Sequence, residues 1–243
     1  MTPLLELRGV SKRFGPVEAL TGVDFEISPR EVVALVGDNG AGKSTLVKIV
    51  SGILPPDGGQ VLFDGRAVTL DGPRAAAALG IATVYQDLAL CENLDVVGNL
   101  FLGRERARGP ALDEIAMERE AVELLRRLAV QLPSVRAAVA GLSGGQRQSV
   151  AVARSMMGSP RLVLLDEPTA ALGVAQTRQV LDLIGRLREQ GLGVVMISHN
   201  LRDVFSVADR ISVLRLGRRV ATFEVASARE VDVVAAITGA VRE

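Results

Sequence analysis

The chain has 243 residues, 48% of them hydrophobic and 23% charged, which is ample apolar material for the core of one large domain or two small ones. Its 28 Lys and Arg balance its 28 Asp and Glu, which excludes a globally basic surface of the kind that favours nucleic acid. The single cysteine, Cys91, excludes an internal disulfide and a zinc site of several cysteines, and it fits a reducing, cytosolic compartment. No apolar segment is long enough to cross a bilayer, and we expect no signal peptide.

The first third of the chain predicts short strands, a glycine-rich loop and two helices. Strands are expected at residues 4–10, 17–27 and 32–36, with a loop at 11–16 and a helix beginning at Lys43. Asp64 and Gly65 form a hairpin signal between strands at 60–63 and 67–69. A helix over about 74–79 and an apolar strand at 81–85 follow.

Helical patterns replace strands between about residues 87 and 154, where Asp113 can cap a helix that reaches about residue 129. Strands then alternate with helices again, with a strand at 162–165, a helix at 174–189, a strand at 194–197 and a helix at 201–208. A hairpin around Gly217 is expected from strands at 210–216 and 218–223. Strands alternating with helices predict an α/β fold with a mainly parallel sheet and a helical insert.

Residues 37–44, GDNGAGKS, fit the P-loop pattern of a glycine, four free positions, and Gly-Lys-Ser or Gly-Lys-Thr. Glycines allow the backbone to curl around a phosphate, and the helix that follows points the positive end of its dipole at the same place. The lysine then contacts the β- and γ-phosphates and the serine offers its hydroxyl to Mg²⁺. The predicted nucleotide contacts are Gly37, Asn39, Gly40, Gly42, Lys43, Ser44 and Thr45.

Polar side chains follow three apolar strands, at the edge where such sheets bind ligands. Asp166 and Glu167 end the strand at 162–165, so Asp166 is a candidate Mg²⁺ ligand and Glu167 a candidate general base. Gln86 and His199 end two further strands. Taken alone, the acids could be solvated side chains, and His199 could be a structural histidine.

A second glycine turn, LSGGQ at residues 142–146, opens another helix. Its free N–H groups and the Ser143 hydroxyl form an anion site by geometry, although a serine before a helix is more often only an N-cap.

With these motifs in this order, the chain resembles the ATP-binding cassette (ABC) ATPases, the nucleotide-binding subunits of ABC transporters, over nearly its whole length. Gln86 matches the Q-loop, residues 142–146 the signature, Asp166 and Glu167 the Walker B pair, and His199 the switch histidine. The resemblance implies hydrolysis of ATP to ADP and phosphate. It also implies a P-loop NTPase core at residues 1–86 and 160–243, with an N-terminal antiparallel β subdomain, and an inserted α-helical signature subdomain at 87–159.

The resemblance also implies a site shared between two cassettes. Each ATP is expected between the P-loop of one subunit and the signature residues of the other in a head-to-tail homodimer or paired cassette. Phe14 matches the aromatic residue that stacks on adenine, although it could be an ordinary loop aromatic. Glu167, His199 and Gln86 take the catalytic roles, and Mg²⁺ is expected on Ser44, Gln86 and Asp166. The signature contacts to ATP are expected from Ser143, Gly144, Gly145 and Gln146.

Residues 170–173, AALG, depart from the usual Ser-Ala-Leu-Asp of the family. Gly173 stands where the aspartate that signals across the dimer is normally found, which puts that cross-talk in doubt. Residues 169–172, TAAL, and residues 99–105 resemble the cassettes of ribose-, xylose- and fructose-type importers. Many members of that group fuse two cassettes in one chain, whereas this chain holds one.

The resemblance implies a peripheral protein on the cytoplasmic face of the membrane, working with integral permease subunits and, indirectly, an extracytoplasmic sugar-binding protein, and without nucleic acid. The permease contact is expected at residues 87–94, after Gln86, unless their apolar side chains turn inward. The alternatives are an ABC ATPase for another substrate or for export, and a non-transport ABC ATPase acting on the ribosome or DNA. A generic P-loop kinase is disfavoured, because the signature has no role there.

Overall fold

The structure is a computed structural model and describes residues 2–240. Its strands are β1 (Leu5–Phe14), β2 (Val17–Ile27), β3 (Val32–Val36), β4 (Gly58–Phe63), β5 (Arg66–Val68), β6 (Ile81–Val84), β7 (Ala107–Arg108), β8 (Ala111–Leu112), β9 (Leu162–Asp166), β10 (Gly193–Ile197), β11 (Arg210–Arg215) and β12 (Arg218–Glu224). Its helices are α1 (Lys43–Val50), α2 (Pro73–Ala78), α3 (Val96–Phe101), α4 (Glu114–Arg127), α5 (Gly144–Met156), α6 (Val174–Glu189), α7 (Leu201–Val207) and α8 (Glu230–Thr238).

A six-stranded sheet in the order β12-β11-β3-β10-β9-β6 carries the fold. Its pairs are parallel except β11 with β12, which form the expected hairpin. In register, Ile197 of β10 lies beside Asp166 of β9. The carboxyl ends of β3, β6, β9 and β10 therefore meet at one edge, as parallel pairing requires. This confirms the predicted α/β class with a mainly parallel sheet.

The apolar strands are buried on both faces, which explains why they lack polar alternation. Along β3, Val32, Ala34 and Val36 face a cluster shared with the helices α3 to α7. Val33 and Leu35 face a second cluster shared with α1 and the N-terminal strands. The central sheet is thus covered by helices on one side and mainly by a β layer on the other.

That β layer is the antiparallel sheet β2-β1-β4-β5 and confirms the N-terminal β subdomain. The expected end of the first strand at residue 10 is wrong, because β1 continues through Phe14. Its second half, which includes Ser11, Lys12 and Arg13, pairs with β2 through several register shifts. Hydrogen bonding to a long partner strand overrides the turn-like local sequence.

Between β6 and β9 the longer elements are helices, α3, α4 and α5. Asp113 caps α4 by accepting a hydrogen bond from the Ala116 amide at 3.0 Å, as the sequence predicts. The two-residue strands β7 and β8 form a small hairpin where no strand was predicted, and the short helix α3 and the late helix α8 were also not predicted. No helix within residues 2–240 combines the length and apolarity needed to cross a membrane.

Candidate functional site

The loop between β3 and α1 carries the predicted phosphate contacts. Gly37 has a φ of 149°, and a Cβ there would lie 2.1 Å from the Leu214 carbonyl oxygen, so only glycine fits. Asp38, Asn39 and Gly40 are exposed. Ser44 is exposed in the first turn of α1, where unpaired backbone amides are expected. The loop therefore presents a turn of backbone and a hydroxyl at the edge of the sheet.

Lys43 lies folded over this loop. Its Nζ donates hydrogen bonds to the carbonyl oxygens of Gly37 at 2.6 Å and Asp38 at 2.9 Å. Burial lowers its pKa, while Glu167, Asp38 and Asp166 act in the opposite direction. Lys43 is 9% exposed and its ammonium is hydrogen-bonded to carbonyl oxygens, so it is suited to an anionic ligand, which would replace these weaker partners.

The two acids at the end of β9 have different environments. Burial raises the pKa of the half-buried Asp166, and the neighbouring charge of Glu167 raises it further. Lys43 and Lys48 oppose this shift. Glu167 adopts a positive φ of 51°, and its amide donates to the Ile197 carbonyl at 3.0 Å. A strained backbone held by the adjacent strand turns Glu167 out of line with the strand, as is common at functional sites.

The predicted catalytic residues meet in one cleft of about 500 Å³ at the carboxyl edge of the sheet. His199 Nδ1 lies 2.8 Å from Glu167 Oε2. The lining consists of Gly37, Asp38, Asn39, Gln86, Glu167, Ala170 and His199. The P-loop, the Q-loop glutamine, the acid and the histidine, predicted from four separate stretches of chain, are therefore neighbours.

The oxygen donors at this edge fit a magnesium ion whose remaining ligands are phosphate oxygens. Among residues 2–240 no cluster of three or more His, Cys, Asp and Glu can hold a metal by itself. One half-buried carboxylate (Asp166), one exposed hydroxyl (Ser44) and one exposed amide (Gln86) supply oxygen donors. Mg²⁺ typically takes one or two protein carboxylates and fills its remaining positions with water and substrate phosphates.

Phe14 lies at the end of β1 with 47% of its surface exposed, and it does not line this cleft. The Lys12 ammonium lies 5.9 Å from the centre of its ring and pairs with Asp57 at 2.8 Å. The predictions did not include Lys12 and Asp57. Lys12 precedes Phe14 by two residues on one strand, so strand alternation could have identified it as a neighbour of the ring. No local signal connects Lys12 to Asp57, which is 45 residues away.

The signature residues also lie outside this cleft, at the start of α5. The Ser143 hydroxyl accepts from the Gln146 amide at 3.3 Å, and the Gln146 side chain accepts from the Ser143 amide at 2.9 Å. This is a complete capping box. A Cβ on Gly145 would lie 2.9 Å from the Gln176 Cβ, so glycine permits the close packing of α5 on α6. The turn has a structural role within the chain, and its exposed serine leaves it open to a ligand outside that cleft.

Comparison with known proteins identifies related chains over nearly the whole length. A family model described as ABC transporter matches residues 20–170. The xylose/arabinose import ATP-binding protein XylG of Sulfolobus acidocaldarius is 50% identical over 90% of this chain and 87% of its own. The fructose import ATP-binding protein FrcA of Rhizobium meliloti is 46% identical over 98% and 95%. The ribose import ATP-binding protein RbsA 1 of Rubrobacter xylanophilus is 49% identical over 90% of this chain but only 44% of its own.

Solved structures with the same architecture are ATP-binding cassettes. One, an ABC transporter cassette in its ADP conformation, has a TM-score of 0.84, 25% identity, and coverage of 98% of this chain and 96% of its own. Another, the dimeric structure of a bacterial ABC transporter cassette, has a TM-score of 0.77, 26% identity, and coverage of 91% and 98%. The predicted P-loop NTPase fold is thereby confirmed.

Proposed function

The chain belongs to the ABC transporter family, and from this premise we propose that it is the ATP-hydrolysing subunit of a monosaccharide importer. The observation that carries the proposal is near-complete coverage of this chain by xylose/arabinose, fructose and ribose import ATP-binding proteins. The ribose relative is more than twice as long as the matched region. The sugar and the partners are therefore inferred from relatives, whereas ATP binding and hydrolysis belong to the family.

The positions of the residues in and around the cleft suggest a role for each of them in hydrolysis. Lys43 is released from its loop carbonyls to neutralise the β- and γ-phosphates. Glu167 accepts a proton from the attacking water as the water oxygen bonds to the γ-phosphorus. The bond between that phosphorus and the β-phosphate oxygen breaks, and ADP leaves with its electrons. His199, beside Glu167, contacts the transferred phosphate. Mg²⁺ on Ser44, Asp166 and Gln86 would supply charge neutralisation at the phosphates.

We further propose that the signature turn completes the site of a second cassette. The support is that none of the signature residues lines the catalytic cleft, combined with an exposed Ser143 at a helix start. A dimeric assembly is recorded for a related cassette. In this proposal residues 1–86 and 160–243 bind ATP and residues 87–159 form the signature subdomain.

Gly173 allows a test of communication across that dimer. Its φ of −73° suits any residue, and a Cβ there would lie 3.6 Å from Gln176 Oε1. Gly173→Asp should therefore fold normally, gain a few tenths of a kcal/mol from N-capping α6, and change the Hill coefficient of ATPase activity. Gly185→Asp, at a glycine within α6 that has open space around it, is the control. An unchanged Hill coefficient and rate in Gly173→Asp would refute the idea that the missing carboxylate loosens coupling.

A second cleft, of about 290 Å³, is the proposed seat of a short permease helix. Tyr85 and Asp87, on either side of Gln86, line it together with α2, β6 and α5. Arg154 of α5 donates to the Leu88 and Ala89 carbonyls, each at 2.7 Å, and so fixes the loop across the cleft. Leu88 and Leu90 are partly buried against the core, so the contact surface is the cleft, which Leu88 also lines, and not an exposed apolar loop.

Affinity purification of the tagged chain from solubilised membranes tests the assignment. An integral permease should be recovered, together with an extracytoplasmic sugar-binding protein, and the complex should lie at the cytoplasmic face. Ala89→Glu should sharply reduce permease recovery while leaving basal ATPase activity unchanged. Ala129→Glu is the matched control, because Ala129 is also exposed and has a φ of 50° against 48° for Ala89. Recovery with ribosomes or DNA and without a permease would overturn the proposal.

A further inference from the structure

Glu167 and His199 lie on separate segments that both leave the sheet. Inside the sheet, the pairing of β9 with β10 fixes their spacing up to Asp166 and Ile197. Beyond it, the Glu167 amide still donates to the Ile197 carbonyl at 3.0 Å. Their side chains lie 2.8 Å apart, but in the proposed mechanism Glu167 acts on the attacking water and His199 on the phosphate, so each leaves the other during hydrolysis. That contact therefore cannot hold the two segments at a fixed spacing during turnover.

A second side-chain contact joins the same two segments further along. Thr169 Oγ1 donates to Asp203 Oδ2 at 2.7 Å, across 34 residues of chain. Thr169 is 9% exposed and Asp203 7% exposed. Neither side chain lines the catalytic cleft, and their polar atoms bond to each other, so both are placed to act through the backbone and not on the reacting atoms. A hydrogen bond of this length between two buried groups is a rigid connection, because losing it would leave a carboxyl group without its partner.

Each end of this hydrogen bond is closely tied to a catalytic side chain. On one side, the Ala170 amide donates to the Glu167 carbonyl at 3.1 Å, so Glu167 and Thr169 share one tight turn. On the other, the Asn200 amide donates to Ser198 Oγ at 3.0 Å, and the Val204 amide donates to the Asn200 carbonyl at 3.2 Å. His199 is therefore held next to the first turn of α7, which carries Asp203.

We propose that Thr169 and Asp203 are positioning residues that hold the Glu167 turn and the His199 segment in register for ATP hydrolysis. The inference rests on the proposed catalytic roles of Glu167 and His199. Thr169→Val keeps the shape of the side chain and removes the donor. It should lower kcat roughly 10- to 100-fold, since small displacements of catalytic groups carry penalties of that order. Affinity for a non-hydrolysable ATP analogue should stay within about twofold, because the P-loop is untouched.

Conservative variants separate positioning from a general loss of structure. Thr169→Ser keeps the hydroxyl and Asp203→Asn keeps an acceptor oxygen, so both should retain most of kcat. Val180→Ala, at a buried position in α6 that belongs to neither segment, supplies a variant of comparably lowered Tm. Its kcat, measured well below its Tm, should match that of the unmodified protein.

The inference is overturned if Thr169→Val keeps a kcat within twofold of the unmodified protein, if its nucleotide affinity falls in parallel, or if Val180→Ala reproduces the loss. Should Thr169→Val prove too unstable to purify, Thr169→Val/Asp203→Leu removes both polar groups and gives the same readout. Glu167→Gln tests the catalytic assignment independently. If it abolishes turnover while Thr169→Val does not, only the inference fails, and if it turns over normally, the proposed catalytic role of Glu167 fails.

Discussion

Glu167→Gln is expected to bind ATP and to hydrolyse it roughly 10²- to 10⁴-fold more slowly than the unmodified protein. The Glu167 carboxylate, 2.8 Å from His199 in the cleft, can take a proton from water, and an amide of the same shape cannot. Lys43 and the P-loop are unchanged, so nucleotide binding should persist. Steady-state ATPase assays and binding of a fluorescent ATP analogue measure the two effects separately.

The same variant should accumulate the ATP-bound assembly, because the step that would dismantle it is slow. Size-exclusion chromatography with ATP is expected to detect a dimer that Ser143→Arg prevents, since a bulky cation would block the signature turn. Glu189→Gln, at the exposed end of α6, is the matched loss of charge and should leave both rate and assembly unchanged. Normal turnover by Glu167→Gln would remove it from the role of general base. A monomer at every concentration, even with the permease present, would count against the shared site.

Lys43→Ala should lose both nucleotide affinity and turnover. A charge-assisted hydrogen bond contributes about 1.5–3 kcal/mol, which corresponds to a roughly 10- to 100-fold weaker Kd for ATP. The loss of transition-state stabilisation should lower kcat by about a further 10²- to 10³-fold. Isothermal titration and ATPase assays give the two values. The fold should survive, because Lys43 bonds only to two carbonyls of a surface loop.

Lys48→Ala removes the same charge from the exposed face of the same helix and serves as the control. Lys48 also opposes the raised pKa of Asp166, but it lies more than one turn of α1 from Lys43 and does not line the cleft, so ATP binding should stay close to normal. If Lys43→Ala and Lys48→Ala bound ATP equally well, Lys43 would not be the phosphate ligand, and the ATP site would have to be sought elsewhere on the chain.

The sequence by itself was sufficient for the local elements that carry strong physical signals. Short, fully apolar runs such as residues 32–36 and 162–165 gave β3 and β9 nearly to the residue, because no other short element is buried on both faces. The Asp113 cap of α4 was also predicted correctly. The P-loop pattern predicted the strand before it and the helix after it. The rule that parallel strands end at one edge was enough to predict that Gln86, Glu167 and His199 would meet.

Only the tertiary structure decided which distant groups bond to one another. The Thr169–Asp203 and Lys12–Asp57 contacts span 34 and 45 residues, and neither has a local pattern. β1 extends past its expected end because β2 offers it partners, and the Glu167 backbone adopts a positive φ that its own side chain does not favour. Propensity and periodicity depend on neighbours along the chain, whereas these features depend on strand order and register, which arise only when the sheet is assembled.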